Sequence, residues 1–213
     1  MATSSSPAEP FGPEAGPGGV RAVEPGTAPP ELTVAVIGSA RLSPPDPRCA
    51  LAEQIGAAIA ARGWTIMTGG YGGLMAIACR AAAAAGGTVI GLPMSCWTGL
   101  QPNEWNHELR WSDTYPERLA HLLAADAVVV LDGGIGTLSE AAVVWAALQT
   151  EPAVPDLVFL GAGWPPVLES LAARLAINDG DLALVTTCAD AQLAVAHIAQ
   201  NHSRRDRTAS PRG

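Results

Sequence analysis

Two glycine-rich segments, each directly after a short apolar run, restrict what this chain can fold into more than any other feature. Residues 69–75 read GGYGGLM, and residues 132–140 read DGGIGTLSE. A glycine-rich turn between a strand and a helix directs backbone N–H groups, backed by the helix dipole, toward whatever binds there. Two such turns in one parallel sheet predict a cleft for an anionic ligand such as a nucleotide phosphate.

Strand and helix patterns alternate along the whole central part of the chain. Short apolar runs predict strands at residues 33–38, 64–68, 88–92, 127–131 and 157–160. Apolar residues at helical spacing predict helices at 46–62, 73–85, 116–124, from the second glycine turn to 149, at 165–177 and at 189–200. A further short apolar run covers residues 182–186.

This alternation predicts a single-domain α/β fold. Strands that alternate with helices form βαβ units and a parallel sheet, and continuous apolar strands are typical of a sheet covered on both faces. We therefore predict a parallel sheet between two layers of helices, in three α/β/α layers. Ligands of such sheets bind beyond the carboxyl ends of the strands, where both glycine turns are expected.

The two ends of the chain differ in composition from its centre. Residues 1–30 are rich in Pro, Gly, Ala, Ser and Glu without a periodic apolar face, and residues 201–213 are polar. Segments that bury little apolar surface cannot offset the entropy of ordering, so we expect two disordered tails. The nucleotide-binding domain is predicted over residues 31–200.

Composition excludes several classes of function. The net charge of −8 and the lack of a basic stripe argue against nucleic-acid and anionic-membrane binding, and the sequence predicts a cytoplasmic protein without a membrane span. All twelve basic residues are arginine, which excludes a pyridoxal-phosphate Schiff base and a Walker A loop. The scattered cysteines and histidines predict no metal site, and we expect no bound cofactor.

The second glycine turn carries groups that can perform chemistry. Gly133, Gly134 and Gly136 would let the backbone approach a phosphate closely. Thr137 adds a hydroxyl near the first helical turn, and Glu140 follows on the same helical face. The alternative reading is a plain capping box from Thr137 to Glu140, which would only start the helix.

The paired motifs resemble those of the LOG ("lonely guy") family of cytokinin-activating phosphoribohydrolases, within the SLOG group of Rossmann-like nucleotide binders. The resemblance covers roughly residues 33–195 and includes an arginine eleven positions after Gly69. It implies a doubly wound, usually dimeric protein that binds an AMP-like nucleoside 5′-monophosphate. Enzymes of the family hydrolyse the N-glycosidic bond, releasing a free base and ribose 5-phosphate.

The resemblance also implies roles for individual residues. Glu140 is the expected catalytic carboxylate, paired with Arg118, which would hold it ionised and fixed in direction. The expected nucleotide- and phosphate-binding residues are Gly70, Gly72, Gly73, Met75, Arg80, Gly133, Gly134, Gly136 and Thr137. Asp132 and Leu119 stand where the family has a proline and a lysine.

Three functional readings follow. The first is a phosphoribohydrolase, in which a carboxylate stabilises an oxocarbenium-like transition state and orients the attacking water. The second is a non-enzymatic nucleotide or molybdenum-cofactor carrier, and the third is a nucleotide-sensing module of a larger assembly. The tryptophan-rich loop 93–113 is either a packed connection or dimer contact, or a lid whose rings stack on a base.

Overall fold

The computed structural model of the chain describes residues 32–151 and 155–209, with side chains described through residue 205. The predicted tail over residues 1–30 and the last four residues of the second predicted tail lie outside the described residues. The division of the chain into a domain and two tails therefore stays a prediction. In the described part of the chain, every helix is too short or too polar to cross a lipid bilayer.

A seven-stranded, entirely parallel sheet forms the centre of the molecule. Its strands are β1 (Thr33–Ile37), β2 (Thr65–Thr68), β3 (Val89–Gly91), β4 (Glu108–Leu109), β5 (Ala127–Val130), β6 (Asp156–Leu160) and β7 (Thr186–Cys188). Their spatial order is β4-β3-β2-β1-β5-β6-β7. The direction in which strands are added reverses between β1 and β5, and this arrangement confirms the predicted doubly wound sheet.

In the residues that the structure describes, seven helices cover the two faces of the sheet. They are α1 (Arg48–Ala61), α2 (Leu74–Ala84), α3 (Tyr115–Leu123), α4 (Ile135–Leu148), α5 (Trp164–Arg174), α6 (Asp179–Leu182) and α7 (Ala191–Ala209). Alternate strand residues point to opposite faces, so Val34 and Val36 pack in one core with α1, α2 and α7. Ala35 and Ile37 pack in a second core with α3, α4 and α5. The three predicted layers are thereby confirmed.

Two short elements depart from the predicted pattern. Strand β4 lies inside the predicted loop 93–113 and pairs with β3 through two residues. Both residues of β4 are exposed, so no apolar run marks it in the sequence. Helix α6 starts with a capping box between Asn178 and Asp181 and takes up the beginning of the predicted apolar run, so β7 begins only at Thr186.

The last helix is longer than the sequence pattern predicts. Helix α7 continues to Ala209, so residues 201–209 of the predicted disordered tail are helical. Two contacts support this extension: Ser203 Oγ donates to the Ala199 carbonyl at 2.9 Å, and Arg205 Nη2 lies 2.7 Å from Asp156 Oδ1 at the start of β6. The partly buried carboxylate of Asp156 thus has a cationic partner on the helix.

Candidate active site

Three strand-to-helix turns meet at the carboxyl edge of the sheet. The two glycine-rich turns follow β2 and β5, and the turn after β1 lies between them. Ser39 of this central turn accepts at its carbonyl from Leu74 N at 2.8 Å and donates from its N–H to the Asp132 carbonyl at 3.0 Å. The site is therefore at the reversal of strand order, the usual ligand position in doubly wound sheets.

The second glycine turn presents an uncapped helix N-terminus. The N-cap of α4 is Gly134, and no side chain caps the helix, so the N–H groups of its first turn have no partner from a capping side chain. Thr137 is buried in that first turn, three residues after the N-cap. The capping-box reading of Thr137 and Glu140 is therefore wrong, because Thr137 does not occupy the N-cap position.

The glycines of this turn fall into two groups. A Cβ at Gly133 would overlap the side chain of Thr137, so the protein itself requires a glycine there. A Cβ at Gly134 or Gly136 would meet no protein atom within 4 Å. These two glycines leave open space in front of the helix N-terminus, where a bound phosphate would need it.

The first glycine turn is shaped mainly by its own packing. Gly73 has a φ of 69°, and a Cβ there would overlap the Ser39 carbonyl. Gly70 has a φ of 78° and lies against Gly91, with its ideal Cβ position 3.1 Å from the Gly91 Cα. Gly72 is exposed, so of the predicted binding glycines in this turn it is the one open to a ligand.

The structure brings Arg118 and Glu140 together in a buried ion pair. Arg118 Nε and Nη2 donate to Glu140 Oε1 at 3.3 and 3.2 Å, and Nη1 donates to the Leu92 carbonyl at the end of β3. Arg118 is 4% exposed and Glu140 is 7% exposed. Gly69 makes room for this arrangement, because a Cβ there would lie 2.6 Å from Arg118 Nη2. Gly69 was not among the predicted site residues, although its place in a Gly-Gly pair was visible in the sequence.

Burial and the arginine act on the Glu140 carboxyl in opposite directions. Burial raises the pKa of Glu140 because it removes water from the charged form, whereas the charge and hydrogen bonds of Arg118 lower it. The net effect is a pKa above the ordinary value. Arg118 thus holds the carboxylate through two hydrogen bonds, but it does not bring the pKa of Glu140 down to the ordinary value, as the predicted ionised form would favour.

One aromatic side chain covers the cation of this pair, and a second packs against the first. The Cζ atom of Arg118 lies 5.4 Å from the ring centroid of Trp97, and Trp97 lies 5.7 Å from the ring of Tyr71. Tyr71 Oη accepts from Met94 N at 2.8 Å and thereby anchors the start of the loop. The sequence showed aromatic residues in this loop but no signal that selected Trp97.

The other half of the loop behaves as a packed connection. Asn103 Nδ2 donates to the carbonyls of Gly70 and Tyr71 at 3.0 and 2.8 Å, and Asn106 Nδ2 donates to Gly70 O at 3.1 Å. These amides hold the first glycine turn from outside. This half of the loop therefore fits the predicted packed connection, whereas the lid that stacks on a base stays a prediction for the half that carries Trp97.

Two predicted binding residues have different surroundings. Met75 is buried, and its sulfur would lie 2.8 Å from a Cβ at Gly69, so it supports the turn beside Arg118. Arg80 is not brought to the cleft: its Nη2 lies 3.5 Å from Glu53 Oε1 on α1, on the exposed surface. Arg80 is two helical turns from the glycine turn, and spacing along a helix does not reveal which neighbour a side chain reaches.

Two further charged residues flank the turns. Asp132 Oδ1 would lie 2.9 Å from a Cβ at Gly163, the N-cap of α5, so the carboxylate is directed toward that helix N-terminus, which favours negative charge. Arg41 follows the central turn, is exposed, and has no ion pair among the described side chains. No motif marks Arg41 in the sequence, although it is the first cation after the β1 turn. No group of three or more metal-ligating side chains was found in the described residues.

Comparisons with known proteins find relatives of this chain. A family model described as LDcluster4, the SLOG cluster4 family, matches residues 31–153. A cytokinin riboside 5′-monophosphate phosphoribohydrolase of Mycobacterium tuberculosis is 39% identical over 99 residues, which are 45% of this chain and 52% of that protein. The chain thus matches about half the length of this curated relative.

Solved structures show the same fold. The molybdenum cofactor binding protein of Rippkaea orientalis is 24% identical, with a TM-score of 0.64 over 79% of this chain and 96% of that one. The molybdenum cofactor carrier protein of Chlamydomonas reinhardtii is 25% identical, with a TM-score of 0.61 over the same shares. The predicted Rossmann-like architecture is therefore found in known proteins over nearly their full length.

Proposed function

Since the chain belongs to the SLOG cluster4 family, as its resemblance to the LOG and SLOG proteins predicted, we propose that it is a nucleoside 5′-monophosphate phosphoribohydrolase. It cleaves the N-glycosidic bond and releases a free base and ribose 5-phosphate. The observation that carries this proposal is the buried Arg118–Glu140 pair beside the uncapped N-terminus of α4. The name and 39% identity of the mycobacterial relative support the same reaction.

The arrangement accounts for binding of the sugar phosphate. The phosphate accepts hydrogen bonds from the first-turn N–H groups of α4, in the space that Gly134 and Gly136 leave open. Thr137 adds its hydroxyl, and Gly72 forms part of the opposite wall. The ribose then lies over the helix face that carries Glu140, one turn further along α4.

The reaction requires a carboxylate at this position. As the C–N bond breaks, its electron pair leaves with the base and positive charge develops on the ribose, which the Glu140 carboxylate stabilises. Water forms the new bond to the anomeric carbon, Glu140 accepts its proton, and the departing base takes up a proton. A carboxyl with a raised pKa is a better proton acceptor than a solvated one. Arg118 is a positioning residue for this carboxylate.

The direct test is to incubate the protein with AMP and N6-substituted AMP and to measure free base and ribose 5-phosphate by chromatography. Glu140→Gln is expected to lower turnover by at least about 100-fold, because general base catalysis is lost, while ligand binding stays within a few-fold. Glu53→Gln, at an exposed carboxylate on α1, is the matched control and is expected to retain full activity. Equal turnover in Glu140→Gln would contradict the assigned role.

The second candidate is a non-enzymatic carrier of a nucleotide or the molybdenum cofactor. The fold likeness to the Chlamydomonas carrier protein and the presence of Asp132 at the glycine turn favour it. A carrier would be stabilised thermally by its ligand without releasing any base. Base release at a rate proportional to protein concentration would support the phosphoribohydrolase over the carrier.

The oligomeric state and the cellular location of the protein are also proposals. A homodimer is supported by apolar surface on α4, where Ile135 is 80% exposed and Ala142, Trp145 and Ala146 line a shallow groove. Sedimentation equilibrium is expected to give twice the 21.7 kDa mass of the chain. A cytoplasmic location is proposed on the charge and composition of the sequence and is checked by fractionation of the source cells.

A further inference from the structure

We propose that Trp97 is the base-binding residue of the cleft, its indole ring stacking on the aromatic base of the nucleotide and so selecting for ligands that carry one. This inference rests on the proposed function, because it assumes that a phosphorylated ribose binds at α4. The inference gives a partner to the base, which is the part of the ligand that neither the Gly134–Gly136 turn nor Glu140 would bind.

The position of Trp97 fits the length of a mononucleotide. The phosphate turn follows β5, and the loop that carries Trp97 follows β3, with β1 and β2 between them. Neighbouring strands are spaced by nearly 5 Å, so the two ends of the cleft are about 14 Å apart, comparable to an extended nucleoside monophosphate. The Arg118–Glu140 pair lies between these ends, where the glycosidic bond would be.

The exposure of Trp97 is typical of a side chain on a binding surface and not of a core side chain. Its side chain is 38% exposed, although it contacts the Arg118 guanidinium and the Tyr71 ring. Its N–H donates to the Met94 carbonyl at 3.3 Å, and Met94 is itself held by Tyr71. The backbone bond positions residue 97, and the contacts with Arg118 and Tyr71 restrict the indole ring before a ligand arrives, which reduces the entropy cost of stacking.

The other tryptophans of the loop do not share these contacts. Trp105 is partly buried and packs against the hydrophobic core on the α1 side of the sheet. Trp111 is 54% exposed, and no aromatic or cation–π contact joins it to the site in the described part of the chain. Trp111 is therefore a matched control for an exposed tryptophan of the same loop.

The test compares a ligand that has a base with one that lacks it. Dissociation constants are measured by calorimetry for ribose 5-phosphate and for carbocyclic AMP, whose ring lacks the oxygen needed for an oxocarbenium ion and is not cleaved. Trp97→Ala is expected to weaken carbocyclic AMP binding by about 10-fold or more and to leave ribose 5-phosphate within twofold. Trp97→Phe keeps a stacking ring and is expected to lose less affinity for carbocyclic AMP. Trp111→Ala is expected to leave the dissociation constants of both ligands unchanged.

The outcomes separate this inference from the proposed function. Equal weakening of both ligands in Trp97→Ala would show that the ring only covers Arg118, and unchanged binding of carbocyclic AMP would also overturn the inference. If the wild-type chain binds neither ligand, the proposed function itself fails. Intrinsic fluorescence gives a second readout. Carbocyclic AMP is expected to quench the tryptophan fluorescence of the wild type and of Trp111→Phe, but not that of Trp97→Phe.

Discussion

Glu140 is held between burial, which favours its neutral form, and Arg118, which favours its charged form. Burial is the larger of the two influences, so the pKa of Glu140 lies above its ordinary value although Arg118 lowers it. A solvated glutamate would have a pKa near 4.5, its ordinary value, and a buried glutamate without a cation would stay protonated. The pair therefore explains why an arginine must reach the carboxylate from a separate helix.

Replacing Arg118 should move the pH profile of the reaction in a defined direction. The carboxylate is the active form, so kcat/KM falls as the pH drops through the raised pKa of Glu140. Arg118→Met retains much of the side-chain volume but removes the charge and hydrogen bonds that lower this pKa. The acidic limb of the profile is therefore expected to shift to higher pH, with a lower maximal rate.

The measurement is kcat/KM for AMP across the acidic and neutral range, with Arg80→Met as the control. Arg80 is an exposed arginine of α2 that is paired with Glu53 of α1, so its replacement is expected to leave the profile unchanged. An acidic limb that moves to lower pH in Arg118→Met would contradict the electrostatic role.

Individual site residues were predictable where a motif determines their place on a turn or a first helical turn. Glu140 and Thr137 belong to the helix that the second glycine turn opens, so their shared face follows from helix geometry. The positions of Arg80 and Trp97 do not follow from a motif. The surroundings of Arg80 depend on which helix packs beside α2, and those of Trp97 depend on the path of a long loop. The capping-box alternative also could not be rejected until the N-cap of α4 was known.

Helix α4 has an N-terminus that is open for a ligand at some cost to the helix. Gly136 lies in the first turn of α4 without a positive φ, and a Cβ there would touch no protein atom within 4 Å. Nothing in the fold therefore requires a glycine at this position, and alanine is the better helix former. Space for the ligand is the remaining physical reason for the glycine.

Gly136→Ala should accordingly raise stability and lower ligand binding at once. The free energy of unfolding is expected to increase by up to about 1 kcal/mol, while binding of carbocyclic AMP weakens because the methyl group occupies the phosphate space. Thermal unfolding and calorimetry measure the two effects. The matched control is Ala57→Gly on α1, which is expected to lower stability without changing binding. Unchanged affinity in Gly136→Ala would place the phosphate elsewhere.

Elements were predictable where apolar patterning alone specifies them. The strands on either side of β1 are continuous apolar runs because helices cover both faces of the sheet. Strand β4 is two exposed residues that pair with β3, and the end of α7 is supported by the contact between Arg205 and Asp156. Both depend on long-range partners, which periodicity cannot reveal.

The molecule as a whole is acidic, whereas the ligand we propose for it is an anion. The chain has a net charge of −8 and no lysine, so attraction of a phosphate cannot come from the overall charge. The proposed binding would depend on local groups at the reversal of strand order: the N-terminus of α4, the nearby turn after β1 and its exposed Arg41, which has no ion pair among the described side chains. The parallel sheet was predictable from the alternating pattern and its doubly wound order from the family resemblance, but the exact neighbours of each turn were not.

A ligand that binds at this junction ties together both halves of the sheet and should stabilise the entire fold. At a ligand concentration of 100 times Kd, the free energy of unfolding rises by about 2.7 kcal/mol, which corresponds to an increase in Tm of about 5–10 °C for a chain of this size. Carbocyclic AMP is expected to give this shift in differential scanning fluorimetry, whereas adenosine, which lacks the phosphate, is expected to give almost none at the same concentration. An equal shift with adenosine would mean that the base, and not the phosphate at α4, anchors the ligand.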